Sequence, residues 1–377
     1  MLSSMIKILN NYSYELYNTL DDTMINKWKK FEKNSNSTIF QKFFFINNWN
    51  TSINKKKDYK LYIIFIYHED SLIAILPLCI KNFFSIKILQ WIGEPFNDLN
   101  FPILMDKLLV SHDELNKAIY EILNINKKDY SIMYLEKQLQ HYKGQKNIFN
   151  NFRNTSTIEK NCVLSMDESF DHFLNNHRFF KSSKYRKILS KINKLNIKYK
   201  SSLTHNIDYN FKIDVYNFFL RNKSNRIVET GAWNYLKFNK YTDFIYLNLK
   251  NQKCVCNAIY IDSKMVSAII GFIDTETFYY VFPSYDPKWG KVSPGLTNLY
   301  LTFKEVFENK ICNRFDFTIG NESYKDIWSN NTEFLFQSFF VTSLKGSFLM
   351  PFFNYRNKYP NTIFFKTLKY LYKKIKI

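Results

Sequence analysis

The stretch Lys291–Phe303, KVSPGLTNLYLTF, sets a Pro-Gly pair at the mouth of a helix in a chain that has only eight glycines and eight prolines. The apolar residues Leu296, Leu299, Tyr300, Phe303, Val306 and Phe307 recur at helical spacing. A helix N-terminus leaves its first N–H groups without partners, and a glycine there lets a ligand approach the backbone. Ser293, Pro294 and Gly295 therefore have two readings. They open a phosphate site, or Pro294 does no more than start a helix well.

Working outward, three strands are expected before this turn: KCVCNAIYID (253–262), KMVSAIIGFID (264–274) and TFYYVFPSYD (277–286). After the helix come a strand, NRFDFTIG (313–320), then NESYKDIW (321–328) as a helix, then the strand EFLFQSFFVTS (333–343). The strands on either side of the Pro-Gly helix should form a parallel pair joined by a right-handed crossover. A ligand then sits at their carboxyl ends, beside the helix N-terminus.

The first half reads similarly. Residues 12–50 are partly helical, with Trp28, Phe31, Phe40, Phe44 and Trp49 as core candidates. Strands follow at LYIIFIY, LIAILPL and FSIKILQWIG, the first two joined by a turn at His68–Ser71. EPFNDLNFPIL is a loop with a short strand, a helix covers about 113–124, and YSIMYLEKQ and CVLSM are strands. One internal echo links the halves. YHEDSLIAIL resembles YIDSKMVSAII, pairing Asp70 with Asp262 and Ala74 with Ala268. A repeated unit explains such a length better than one oversized domain. In the centre, DHFLNNHRFFKSSKYRKILSKINKL (171–195) predicts one long basic helix, with Phe173, Phe180, Tyr185, Ile188, Leu189, Ile192 and Leu195 as its apolar stripe. VYNFFLRNKSNRI and YTDFIYLNLK predict two more helices, the second without readable caps.

Composition bounds the class. With 377 residues and 46% hydrophobic content, the chain exceeds one ordinary core, and two domains are expected. Thirty-seven Phe and 27 Tyr exclude a disordered chain. Fifty-three Lys and Arg against 33 acids give a net charge of +20. That charge points to a polyanionic partner, or to codon bias in an A/T-rich genome, which the crowding of Lys, Asn, Ile, Phe and Tyr also fits. The five cysteines, Cys79, Cys162, Cys254, Cys256 and Cys312, are odd in number and lack zinc spacing. They read as small buried residues of a reducing compartment. No signal peptide is expected in MLSSMIKILNNYSYELYN. LYIIFIYHEDSLIAILPLCI is broken by His68, Glu69 and Asp70, so it reads as two strands and not a membrane span.

These pieces, in order, resemble the CelD-like (BcsL) acyltransferases of the GNAT superfamily, relatives of the Fem-type peptidyltransferases. The carrying segments are LIAILPL with LQWIGEPFNDLNFPIL, HRFFKSSKYRKILSKINKL, LRNKSNR, YYVFPSYDPKWGKVSPGLTNLY and FDFTIGNESYKDIW. The central helix is Lys-rich where relatives favour Arg. The resemblance implies an α/β fold of tandem GNAT-like units, mixed sheets flanked by helices. The expected division is 1–165 for the first unit and 166–345 for the second, which carries the donor site. Residues 346–377 are expected as a basic amphipathic tail. The implied reaction moves an acyl group from acyl-CoA to an amine or hydroxyl of a sugar, glycan precursor or small metabolite, without a metal. The loop Ser293, Pro294, Gly295, Leu296 and Thr297 would cradle the donor's pyrophosphate. Leu296 and Thr297 depart from the usual loop, where a second small residue follows the first glycine.

Acyl transfer needs a path for the nucleophile's proton, donors to the oxyanion and an acid for the leaving thiolate. Tyr324 is the candidate acid, or else a ring packed on the sheet. Asp286 orients or deprotonates an amine, or is a turn aspartate before Pro287. Asp316 interrupts an apolar strand, so it lines a polar cavity or is paired, with Lys223 or Arg226 as the suggested partners. Lys223 and Arg226 lie three apart on a helix and either grip an anion or form a solvated face. Tyr285, Lys325 and Trp328 complete the candidate substrate contacts. The tail FFNYRNKYPNTIFFKTLKYLYKKIKI either lies on an anionic membrane or docks on the protein. A cytoplasmic acyl-CoA-dependent transferase leads. A Fem-like transferase using aminoacyl-tRNA is the alternative, and a silent scaffold in polysaccharide biosynthesis a third reading. Oligomeric state has no signal in the sequence.

Overall fold

The computed structural model describes residues 6–7, 11–83, 85–165, 170–177, 180–203, 209–231, 234–320 and 322–347. The residues from 348 on, which hold most of the expected tail, lie outside that description. The chain folds as two compact units. One contains the residues up to 160 and those from 334 on; the other is Asn161–Glu333.

The first unit contains β1 (Ile6–Lys7), β2 (Tyr12–Tyr17), α1 (Asp22–Glu32), β3 (Ser35–Asn36), α2 (Phe43–Ser52), β4 (Tyr59–His68), β5 (Ser71–Phe83) and β6 (Ile86–Trp91). It continues with β7 (Ile103–Met105), α3 (His112–Ile125), β8 (Ile132–Gln138), β9 (His141–Tyr142), β10 (Gln145–Lys146) and most of β11 (Arg153–Ser165). Its sheet runs β1-β2-β4-β5-β6-β8, antiparallel except for the β6–β8 pair, which is parallel. Trp28, Phe40 and Trp49 are fully buried, Phe31 is buried and Phe44 half-buried. Burying each large apolar side chain contributes roughly 1.5–3 kcal/mol.

The second unit takes the end of β11, then α4 (Phe170–Asn176), α5 (Ser183–Lys194), β12 (Lys198–Ser201), α6 (Tyr209–Glu229), α7 (Asn239–Leu249), β13 (Cys254–Ile261), β14 (Lys264–Asp274) and β15 (Thr277–Tyr285). A 3-10 turn at Pro287–Val292 leads into α8 (Pro294–Glu308), β16 (Arg314–Ile319) and α9 (Ser323–Trp328). A last strand, β17 (Asn331–Val341), then pairs antiparallel with β8 in the first unit. The second unit's sheet runs β11-β16-β15-β14-β13-β12, and its one parallel pair is β15 with β16.

The same order therefore occurs twice: hairpin, third strand, helix, parallel strand. β4-β5-β6-α3-β8 in the first unit matches β13-β14-β15-α8-β16 in the second. The two echoing sequences are the two hairpins, with left-handed residues at Glu69 and at Asp262 and Ser263 in their turns.

The long basic helix of 171–195 is corrected to two helices, α4 and α5. Ser182 is extended (φ −80°, ψ 155°) and its hydroxyl accepts the Tyr185 amide, so it caps a new helix there. Phe180, on the connection, is buried with Phe303, Phe315 and Trp328. That contact anchors α5 against α8. The α7 N-cap is Phe238, which offers no side-chain bond, so its start had no cap to read. All five cysteines are free and buried.

Candidate active site

β15 and β16 pair only from Thr277↔Arg314 to Tyr279↔Asp316, although β15 runs on to Tyr285 and β16 to Ile319. The cause lies in Asp316. Its Oδ1 accepts the amide of Thr318 at 2.9 Å, and Thr318 is left-handed at φ 56°. The side chain takes a donor that a ladder would use, and the strands part beyond it. Asp316 is 1% exposed and its Oδ2 accepts Asn161 Nδ2 at 2.9 Å and Arg314 Nη2 at 3.2 Å. Arg314 also holds Glu333 at 2.9 and 3.0 Å. The suggested partners Lys223 and Arg226 are thus corrected to Arg314, two residues along the same strand. A buried acid needs such pairing to offset its desolvation.

The start of α8 is uncapped. Ser293 is left-handed (φ 55°, ψ 51°) and makes no side-chain cap bond, Pro294 has no N–H, and the first turn holds no acid. Gly295 is covered by Tyr285: a Cβ there would lie 3.4 Å from the ring. The Arg226 guanidinium also lies over the Tyr285 ring, 5.3 Å from its centroid. Lys191 of α5 reaches the same turn, donating to the Lys291 carbonyl at 3.3 Å and to Ser293 Oγ at 3.5 Å. Leu296 packs on the core and Thr297 bonds back to the Ser293 carbonyl at 3.2 Å, so these two serve the turn itself.

The matching helix of the first unit is sealed. Ser111 Oγ accepts the Glu114 amide at 3.2 Å while the Glu114 carboxylate takes the Ser111 amide at 3.1 Å, a capping box with Asp113 beside it. Acids there already satisfy the helix dipole and oppose an anion. The opening between β6 and β8 is also filled. Their pairing stops at Leu89↔Met133, and Asn100 then docks on the end of β8, donating to the Lys137 carbonyl at 2.8 Å and accepting the Leu139 amide at 3.1 Å.

Tyr324 of α9 is half-buried against the core, beside Tyr280 of β15. Burial, reinforced by Glu322, pushes the Tyr324 phenol above its ordinary range, while Tyr280 and Arg226 pull the other way. It therefore holds its proton at neutral pH. Lys325 is 4% exposed and donates to the Ile319 carbonyl at 2.7 Å, at the carboxyl end of β16, with Glu322 at 3.2 Å. Burial and then the Arg226 charge push the Lys223 ammonium down, Glu322 pulls the other way, and Lys325 adds a further downward push. Asp286 caps the 3-10 turn, its Oδ1 accepting the Lys288 amide at 3.0 Å. Trp328 is 1% exposed inside the aromatic core with Phe180, Tyr300 and Phe303.

The structure thus brings together Tyr324, Lys223, Arg226, Tyr285, Gly295 and Lys325, and sets Trp328 and Asp316 in structural surroundings. Sequence reading placed Lys191 on the basic face of the central helix without a role, and missed Tyr280, whose neighbour Tyr324 is 44 residues away in sequence. Neither has a local signal. A polar seam was missed as well: Asn298 and Thr302 of α8, both fully buried, bond Ser267 and Asn257 of the sheet.

Residues 241–326 match the family model described as an acetyltransferase (GNAT) domain. The second unit therefore carries an acetyltransferase (GNAT) domain over these residues, on a mixed α/β fold in which the order of elements occurs twice. Among solved structures, a conserved protein of unknown function from Bacteroides thetaiotaomicron is similar at TM-score 0.55 and 11% identity, covering 86% of this chain and 98% of that one. FemX is similar at TM-score 0.55 and 8% identity, covering 92% and 99%. L-PGS from Bacillus licheniformis is similar at TM-score 0.51 and 10% identity, covering 86% and 94%. These likenesses concern the fold. No curated protein matches the chain. Among the described residues no helix is long and apolar enough to cross a membrane, and no group of His, Cys, Asp and Glu is arranged for a metal.

Proposed function

We propose that the chain transfers an acyl group from an acyl-CoA thioester to an amine or hydroxyl, with the donor on the second unit. The observation that carries this reading is the contrast between the two helix starts. α8 is uncapped, free of acid in its first turn and approached by Lys191, whereas α3 is closed by a capping box. Free amides and the positive end of a helix suit a pyrophosphate. The parted strands β15 and β16 leave room for the thioester arm beside them.

In the reaction the acceptor's lone pair attacks the thioester carbonyl, the tetrahedral oxyanion collapses, and the C–S bond breaks. The thiolate takes a proton from Tyr324, and the proton released by the acceptor's amine or hydroxyl returns through solvent to the Tyr324 oxygen, so the thiol and the amide or ester leave with protons balanced. Tyr280 of β15 lies beside the Tyr324 side chain. The acceptor is proposed to be a sugar, glycan precursor or small metabolite, as in the CelD-like acyltransferases that the motif order resembles, and the site cytoplasmic.

One observation favours a second reading, an aminoacyl-tRNA donor. Arg186, Lys187 and Lys194 of α5 are exposed on the helix whose Lys191 meets the α8 turn. Calorimetry with acetyl-CoA, a longer acyl-CoA and charged tRNA, on wild type and Gly295→Trp, tests both. Thioester binding that is lost in the variant supports the first reading. Binding of charged tRNA alone, falling steeply with salt, replaces it with the second. Tyr324→Phe should lower kcat roughly 100-fold, the low end for a positioned acid, and leave the affinity for CoA within about twofold. An unchanged kcat in that variant removes Tyr324 from the chemistry.

A further inference from the structure

Three cations meet at the carboxyl ends of β15 and β16. Lys223 and Arg226 stand three apart on α6, which packs on β13, β14 and β15. The Arg226 guanidinium lies over the Tyr285 ring, and that ring lies against Gly295. Lys325 is held on the Ile319 carbonyl by α9. Against the three stands one acid, Glu322, which is more than half exposed and paired to Lys325. Among the described residues neither Lys223 nor Arg226 has an ion-pair partner. Folding gains nothing from gathering like charges beside a half-buried tyrosine. Such an arrangement is sustained when a ligand supplies the missing negative charge, and Arg and Lys are the side chains that receive carboxylate and phosphate.

We propose that the acceptor of this enzyme carries an anionic group, a carboxylate or a phosphate, which Lys223, Arg226 and Lys325 hold beside Tyr324. The proposal rests on the acyl-transfer reading above and names the acceptor's chemistry within it. Arg226 and Gly295 both lie against the Tyr285 ring, so the cluster borders the α8 turn. Burial first, then Arg226 and Lys325, push the Lys223 ammonium down, and Glu322 offsets this only in part.

The test pairs matched acceptors with charge-removing variants. Acetyl-CoA-dependent thiol release is measured with glucosamine and glucosamine 6-phosphate, and with glycine and glycinamide. The enzymes are wild type, Lys223→Gln/Arg226→Gln, Lys325→Met and, as a control, Lys304→Gln on the exposed side of α8. The expected result is a preference of at least tenfold in kcat/KM for the charged member of one pair, lost in the double variant and in Lys325→Met, and kept in Lys304→Gln. The responding pair tells phosphate from carboxylate. A second measurement does not need turnover: the shift in Tm given by inorganic phosphate or by acetate over chloride at equal ionic strength. It should be present in wild type and absent in the double variant. The double variant should also be at least as stable as wild type without ligand, because it removes repulsion, an outcome that a merely structural role would reverse. CoA titration runs alongside. If CoA fails to bind wild type, the donor reading fails. If CoA binds all variants alike while anions shift wild type and double variant equally, or the neutral acceptors are preferred, this proposal is overturned and the donor reading stands.

Discussion

Replacing Asp316 by Ala separates its structural role from a chemical one. Three donors converge on its carboxylate: the Thr318 amide at 2.9 Å, Asn161 Nδ2 at 2.9 Å and Arg314 Nη2 at 3.2 Å. Truncation does not strand the arginine, which keeps both bonds to Glu333, and Asn161 keeps its own bond to Glu333 at 3.0 Å. The cost is therefore below the roughly 3–5 kcal/mol of abandoning a buried charge. What remains is a buried Thr318 amide without its acceptor, about 1–3 kcal/mol, plus the lost charge-assisted bond to Arg314. A total of about 2–4 kcal/mol follows, on the same scale. Asp316→Asn should cost less, about 1–2 kcal/mol, since its carbonyl can still receive Thr318. Urea unfolding gives the totals, and hydrogen exchange at the Thr318 amide gives the local effect. That amide should lose protection in the alanine variant and keep it in the asparagine variant. If Asp316→Ala stays within about 0.5 kcal/mol of wild type, the ordinary range for harmless substitutions, yet abolishes turnover, the structural account is wrong and the carboxylate acts in the chemistry.

Other outcomes follow from the same geometry. Leu296→Glu places a carboxylate in the first turn of α8, copying the acid that closes α3; CoA affinity should fall at least about tenfold, judged from the 0.3–1 kcal/mol dipole effect plus direct repulsion of phosphate, and unchanged affinity by calorimetry would move the donor away from that turn. Gly320 has φ 143°, and a Cβ there would stand 2.6 Å from Lys325 Nζ and 2.2 Å from Glu322 Oε2. Gly320→Ala should cost about 1–3 kcal/mol from backbone strain and dislodge Lys325 from the Ile319 carbonyl; a variant with wild-type Tm would show that the turn relaxes freely. Lys81, 3.0 Å away, holds the Glu94 carboxyl down at about 2. A lowered carboxylate stabilises the fold above its unfolded pKa of about 4.5 and loses that contribution as pH falls toward 2. Glu94 is 38% exposed, so screening leaves about 1 kcal/mol. Glu94→Gln should flatten the unfolding free energy between those pH values, and an unaltered pH profile would refute the pairing.

The elements were legible because their periods were clean. Each strand from β13 to β16, and the helix between the last two, stands where alternation or helical spacing put it. The break between α4 and α5 was hidden because the apolar stripe runs across it: Phe180 and Ile188 both reach the core, one from the connection and one from the helix. The Ser-Ser pair at 182–183 carried the signal, but a cap inside an amphipathic run competes with a continuous period and is easily outvoted. The partner of Asp316 was readable in principle. Arg314 lies two residues before it, and residues two apart on a strand share a face. Tyr280 with Tyr324, and Lys191 with Ser293, join elements that only the folded chain brings together.

The two units show why order of elements and chemistry must be read separately. Their strand order repeats, so sequence periodicity alone would assign both a donor site. What differs is a few residues at each helix start: Ser111-His-Asp-Glu114 in one, Ser293-Pro-Gly-Leu296 in the other. The first spacing lets a serine and a glutamate satisfy each other's amides. The second bars it twice over, since the left-handed Ser293 makes no cap bond and position 296 is leucine. In α3 the Ser111 and Glu114 amides are taken by these side chains, and Asp113 and Glu114 put negative charge where a phosphate would sit. The two helix starts therefore differ in two features, the backbone of the serine before the helix and whether the third residue after that serine carries a carboxylate.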